Sequence, residues 1–186
     1  MNSELANFLE TLTPAATETD QWGALQFDVT AYLTESAPPL EYVTSVRAVV
    51  ARGKQALVIT SPDREHILPG GRREPGESLT ETLRREALEE TGWSLISLRL
   101  LGCKHFHHLT PKPDAYTYPY PDFLQVVYTA VAEAYHPDQR IVDDYELDAR
   151  FLPIAEIRAL PLSPIQRLFL DATSEERASG PSSRQR

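Results

Sequence analysis

The chain has 186 residues, of which 41% are apolar and 24% charged, close to the globular average, which excludes a disordered, collagen-like or fibrous protein. The net charge of −9 is uneven: residues 1–41 hold seven carboxylates and neither Lys nor Arg. That leaves no basic stripe of the kind long nucleic acid requires, and no apolar run approaches the ~18 residues of a membrane span.

The length fits one domain with extensions. The N-terminus lacks a basic region followed by an apolar core, so no secretory signal is read. Cys103 is the one cysteine, which rules out an internal disulfide framework and a four-cysteine zinc site; a reducing, cytoplasmic compartment is expected.

In chain order, Leu5, Phe8, Leu9 and Leu12 recur at helical spacing after Ser3 and stop at Pro14. Leu25, Phe27, Val29 and Ala31 alternate with polar residues and predict a half-buried strand. Pro38 and Pro39 break the chain. Tyr42–Val50 and Gln55–Thr60 read as strands around the turn Arg52-Gly53-Lys54. A loop rich in Gly and Pro leads from Ser61 to Gly76 into a helix over Leu79–Glu90, which Gly92 ends. Leu95–Phe106 and Phe123–Ala134 read as strands, and the prolines between them forbid regular structure over Leu109–Pro121. Ile154–Leu160 and Pro164–Leu170 read as short helices, and residues 171–186 as a disordered tail. Residues 1–40 are an N-terminal extension and 41–170 the main domain.

The informative stretch runs from Leu68 to Trp93. At about 100° per residue, Glu86, Glu89 and Glu90 share about 100° of one helix face. Like charges at these spacings repel by a few tenths of a kcal/mol per pair, and a cation would relieve that repulsion. Oxygen-only ligands select Mg²⁺, Mn²⁺ or Ca²⁺ over zinc. Gly70 and Gly71 permit close backbone approach, and Arg85 lies beside the acidic face, where it can orient one carboxylate by a bidentate pair.

This stretch resembles the Nudix box, G-x5-E-x7-R-E-U-x-E-E-x-G-U, where U is a bulky apolar residue. Gly71, Glu77, Arg85, Glu86, Glu89, Glu90 and Gly92 occupy its seven fixed positions, while Ala87 is small and Trp93 aromatic for their places. A chance match is on the order of one in 10⁸ per window, too rare for a merely solvated acidic helix.

The resemblance implies an α/β fold: an α/β/α sandwich around a mixed sheet, here with an N-terminal helix and an extra strand added. It also implies a Mg²⁺-dependent hydrolase, with Mn²⁺ as substitute, that cleaves a nucleoside diphosphate linked to another group. The alternative is a silent Nudix-like regulator that binds nucleotides without turnover. By position in the box, the Gly70 carbonyl with Glu86, Glu89 and Glu90 would hold the metal, and Glu77 would support them. Glu86, Arg85 and Glu89 form the catalytic set. Glu146, in the later acidic loop, is a further candidate for the base.

Arg72, Lys104, His107, Tyr118 and Tyr120 are the substrate-binding candidates, the tyrosines because nucleobases stack on such rings. Cys103, His105 and His107 alternate along one predicted strand with His108 beside them. A zinc site and satisfied structural histidines are the competing readings there. The residues that mark subfamilies specific for ADP-ribose or dinucleoside polyphosphates are absent at His107–Leu109, so the substrate stays open. Two apolar faces in residues 1–40 must be covered by the domain or by a second subunit. A homodimer is expected, with no membrane partner.

Overall fold

A computed structural model describes residues 3–141 and 147–179, with side chains over 4–141 and 147–174. The elements in order are helix α1 (Ser3–Glu10), strands β1 (Ala16–Trp22), β2 (Leu25–Leu33), β3 (Val43–Arg52), β4 (Gln55–Thr60) and β5 (Glu65–His66), and helix α2 (Leu79–Thr91). Then come strands β6 (Trp93–His108), β7 (Asp122–Tyr135) and β8 (Asp148–Pro153), and helices α3 (Ile154–Ile157) and α4 (Pro164–Ser179). None of the described helices is long and apolar enough to cross a membrane.

The sheet runs β1-β2-β6-β7-β3-β4-β5, with β8 also on β4. It is mixed, because β3 and β7 are parallel while the other pairs are antiparallel. Strand alternation sends side chains to two faces. On one, Val29, Phe106, Phe123 and Val127 pack under α3 and α4 through Ile157, Ile165 and Phe169. On the other, Val46, Ala48 and Val50 pack under α2 through Leu83 and Ala87. Leu5 of α1 meets Val43, Leu124 and Val126 on this second face. The expected sandwich is the one observed.

Two differences from the sequence reading matter. The N-terminal extension adds a hairpin rather than one strand: β1 pairs with β2, and β2 pairs with β6 from Phe27–His108 to Leu33–Gly102. The second is that α4 reaches Ser179, so residues 171–179 are helical rather than a tail. The apolar faces of residues 1–40 are covered within the chain, since Leu5, Phe27, Val29 and Ala31 are all buried.

Strands β3 and β4 pair only at Ala51–Ala56 and Arg52–Gln55. Past that point the loop before α2 takes the place of β4 beside β3. The Val46 N–H donates to the Gly71 carbonyl and the Ala48 N–H to the Pro69 carbonyl, each at 2.9 Å. This substitution sets the acidic helix against an opening in the sheet.

Because α1 is anchored chiefly by one fully buried leucine, Leu5→Ala should cost about 2–5 kcal/mol in urea unfolding. An unchanged unfolding midpoint would show that α1 does not pack on the sheet.

Candidate active site

Helix α2 starts in a capping box. The Ser78 Oγ accepts from the Glu81 N–H at 3.3 Å, and Glu81 Oε2 accepts from the Ser78 N–H at 2.8 Å. The helix ends at Gly92, whose φ of 74° is left-handed. Between these caps Leu83 and Ala87 face the core, which turns the acidic face outward.

Arg85 binds that face together. Its Nε and Nη2 donate to the two oxygens of Glu77 at 2.7 and 3.0 Å. Its Nη1 donates to Glu86 at 3.0 Å and to Glu89 at 3.2 Å. Its Nη2 also donates to the Arg72 carbonyl at 3.1 Å, which ties the loop to the helix. The bidentate partner of Arg85 is thus Glu77, outside the helix, and Arg85 reaches Glu86 and Glu89 with its remaining nitrogen. The Arg85 hydrogen bonds hold the Glu77 carboxyl down to about 2. Arg85 itself is pushed well above its ordinary range by Glu77, so it stays charged.

Glu90 is placed separately. Its Oε2 accepts from the Gly70 N–H at 2.7 Å, and its Oε1 lies 3.7 Å from Arg47 on β3. The two loop glycines face different neighbours. A Cβ on Gly70 would overlap the Val46 carbonyl, at a φ of 129° that side chains disfavour. A Cβ on Gly71 would occupy the space of the Glu86 carboxylate.

The donor chemistry fits a hard divalent cation: three carboxylates on one helix face beside a backbone loop that the glycines let approach closely. Among the described residues, no group of three or more acidic, histidine or cysteine side chains is placed to hold a metal ion as the side chains stand. Glu86 and Glu89 lean on Arg85, and Glu90 on the Gly70 N–H.

Two cavities open on the sheet face under α4. The larger, about 550 Å³, is lined by Arg47, Arg64, His66, Lys104, Gln125 and Gln166, and by β1 residues including Trp22. The smaller, about 260 Å³, is lined by Trp22, Arg72, Tyr116, Tyr118, Phe123 and their neighbours. Both include Arg47, which connects them to Glu90.

Of the substrate candidates, Lys104 lines the larger cavity, and Arg72 and Tyr118 the smaller, with the Arg72 guanidinium 5.0 Å from the Tyr118 ring. Tyr120 lines neither: its hydroxyl donates to the Thr110 carbonyl, and its ring lies 5.0 Å from His108. His107 also lines neither, because strand alternation puts Lys104 and His107 on opposite faces of β6. Glu146 lies outside the described residues.

The Cys103–His108 cluster separates as well. His105 Nε2 and His107 Nδ1 each lie 2.8 Å from one oxygen of buried Asp122. His108 faces the other way, bonded to Tyr116 at 2.9 Å. Burial pushes the Cys103 thiol up to about 12, so it is no ready thiolate ligand. Burial raises the Asp122 carboxyl, but bonds from His107 and His105 outweigh this and hold it below its usual value.

Sequence reasoning missed Arg47, Trp22 and Gln125. The signal for Arg47 was a cation inside the apolar run Val46–Val50. Trp22 gave none, because β1 is polar enough to read as loop.

Residues 41–173 match the NUDIX domain family. Among solved structures, the chain is similar to a NUDIX hydrolase from Nitrosomonas europaea, at 24% identity and a TM-score of 0.55, over 72% of this chain and 89% of that one. It is similar to the Bacillus subtilis pyrophosphohydrolase BsRppH at 22% identity and a TM-score of 0.60, over 89% and 98%. A third is the NUDIX domain of Shewanella oneidensis NrtR complexed with ADP ribose, at 20% identity and a TM-score of 0.52, over 74% and 88%. At these identities the likeness concerns the fold. A search of curated proteins found no match.

The depressed Glu77 carboxyl has a consequence for stability. Its folded value, about 2, lies below the ordinary 4.5. The ion pair with Arg85 therefore stabilises fully above about pH 4.5 and is lost as pH falls toward 2. Glu77→Gln should be less stable than the wild type at neutral pH, and the gap should close across that window in urea titrations. A gap independent of pH would mean that Arg85 does not hold Glu77.

Proposed function

This chain belongs to the Nudix family, and from this premise we propose that it is a pyrophosphohydrolase that uses Mg²⁺ to cleave a nucleoside diphosphate linked to a second group. The observation that carries this reading is that one guanidinium orients Glu86 and Glu89 and one loop N–H orients Glu90 on the same helix, while Arg47, 3.7 Å from Glu90, lines both cavities.

Glu86, Glu89, Glu90 and the Gly70 carbonyl would hold the cation, with Mn²⁺ as substitute. A divalent cation there supplies charge neutralisation on the diphosphate and a more acidic water. Arg47 sits where the cavities meet and faces the phosphate charge. Arg85 keeps Glu86 and Glu89 oriented, and Glu77 keeps Arg85 in place. Glu89 is 37% exposed, against 17% for Glu86 and 13% for Glu90. It is therefore the carboxylate most accessible to an attacking water, and on that access it is assigned as the base.

A cytoplasmic location and a homodimer belong to the same proposal. The dimer no longer draws on residues 1–40, whose apolar faces are covered within the chain, and light scattering on the full chain decides it.

Glu90→Gln should reduce turnover at least about a hundredfold, since metal-borne charge stabilisation supplies several kcal/mol, and should leave the fold intact by circular dichroism. Excess EDTA should abolish wild-type activity. Wild-type turnover in Glu90→Gln, or full activity in EDTA, would remove the metal reading. Nucleotide binding with no product released from a panel of diphosphates would point instead to the silent regulator.

A further inference from the structure

The two cavities differ in chemistry although they share Trp22, Arg47 and Gln125. The smaller is an aromatic slot. The Trp22, Tyr116, Tyr118 and Phe123 side chains line it, with Arg72 laid over Tyr118. Rings arranged in this way accept a flat heterocycle, at about 1–3 kcal/mol per stacked base. The larger cavity is polar, with Arg47, Arg64, Lys104, His66, Gln125 and Gln166 in its wall. It does not suit a second base.

Its charges are not equally available. Asp20 already accepts from the Trp22 indole at 2.9 Å with one oxygen and from the Gln21 N–H at 2.9 Å with the other. Glu18 accepts from the Ile165 N–H at 3.3 Å at the start of α4. Asp63 also lines the wall. Lys104, by contrast, makes no ion pair within 4.0 Å among the described residues. Its ammonium lies 5.0 Å from the Phe106 ring, on the floor that β6 and β7 form where Lys104 and Gln125 are in register. Burial, with Arg47 next, pushes this ammonium down to about 8, against the opposing pull of the Asp20 and Glu18 carboxylates. His66 is pushed down to about 4 by burial, so it is neutral and offers the cavity a hydrogen-bonding ring rather than a charge.

We propose that the site is divided: the aromatic slot takes the nucleobase, the diphosphate crosses at Arg47, and the Lys104 cavity takes a second group that carries its own negative charge. The substrate class is then a nucleoside diphosphate joined to an acidic or phosphorylated sugar-like moiety. This rests on the hydrolase reading above and narrows it. It also gives the N-terminal hairpin a role, since Trp22 of β1 walls both compartments although it precedes the residues that match the family.

Two probes that differ at one carbon test the proposal on the full chain without any turnover. Glucuronate 1-phosphate and glucose 1-phosphate share ring and phosphate, and only the first has a carboxylate. Binding is read by tryptophan fluorescence, to which Trp22 reports, and by calorimetry. The wild type should bind glucuronate 1-phosphate about tenfold more tightly. Lys104→Met should bring the two affinities within about twofold, and Lys104→Arg should restore the preference. Equal affinities in the wild type, a preference that survives Lys104→Met, or no binding of either probe would overturn the proposal. A preserved preference in a protein that hydrolyses no diphosphate would remove the hydrolase reading and leave the divided site standing.

Discussion

One guanidinium governs the arrangement of the acidic helix. Glu86, Glu89 and Glu90 repel one another at one-turn spacing, and the partial burial of Glu86 and Glu90 makes that repulsion harder to screen. Arg85 answers it from within the same helix. It fastens itself to Glu77 by two bonds and extends its last nitrogen to Glu86 and Glu89. Because one of its bonds goes to the Arg72 carbonyl, the same residue fixes the loop against the helix. Removing Arg85 would leave like charges facing one another and a loop without its anchor.

The opening between β3 and β4 is the second constraint. A continuous β3–β4 ladder would leave no backbone room for the loop. The early separation of the strands lets Pro69–Gly71 lie along β3, with Gly70 against the Val46 carbonyl and Gly71 against Glu86. Through this opening Glu90, on the helix side, comes within 3.7 Å of Arg47, on the cavity side. The helix and the cavities thus lie on different faces of the sheet, and the opening joins them.

Much of this was legible in the chain. Ser78 and Gly92 mark the ends of α2, and the order of glycines, Glu77 and Arg85 is local information. The alternation of Phe27, Val29 and Ala31 is equally plain. The illegible parts have physical reasons. Strand β1, Ala-Thr-Glu-Thr-Asp-Gln-Trp, is an edge strand with one face half-exposed, so it lacks an apolar alternation and exists because β2 offers it a partner. Helix α4 continues past Leu170 on polar residues that read as tail when helix propensity is set aside. The cavities gather Trp22, Arg47, Lys104, Gln125 and Gln166 from five elements, and no local pattern reports such a meeting. His107 lies three positions from Lys104 on β6, and an odd separation along a strand sends the two to opposite faces.

The central claim is that α2 and its loop form a hard-cation site organised by Arg85. Electron paramagnetic resonance of Mn²⁺ added to the full chain measures that site without any substrate. The account predicts a bound Mn²⁺ that Mg²⁺ displaces and that Glu86→Gln weakens by about tenfold or more. Mn²⁺ binding of the same strength in Glu86→Gln would contradict it.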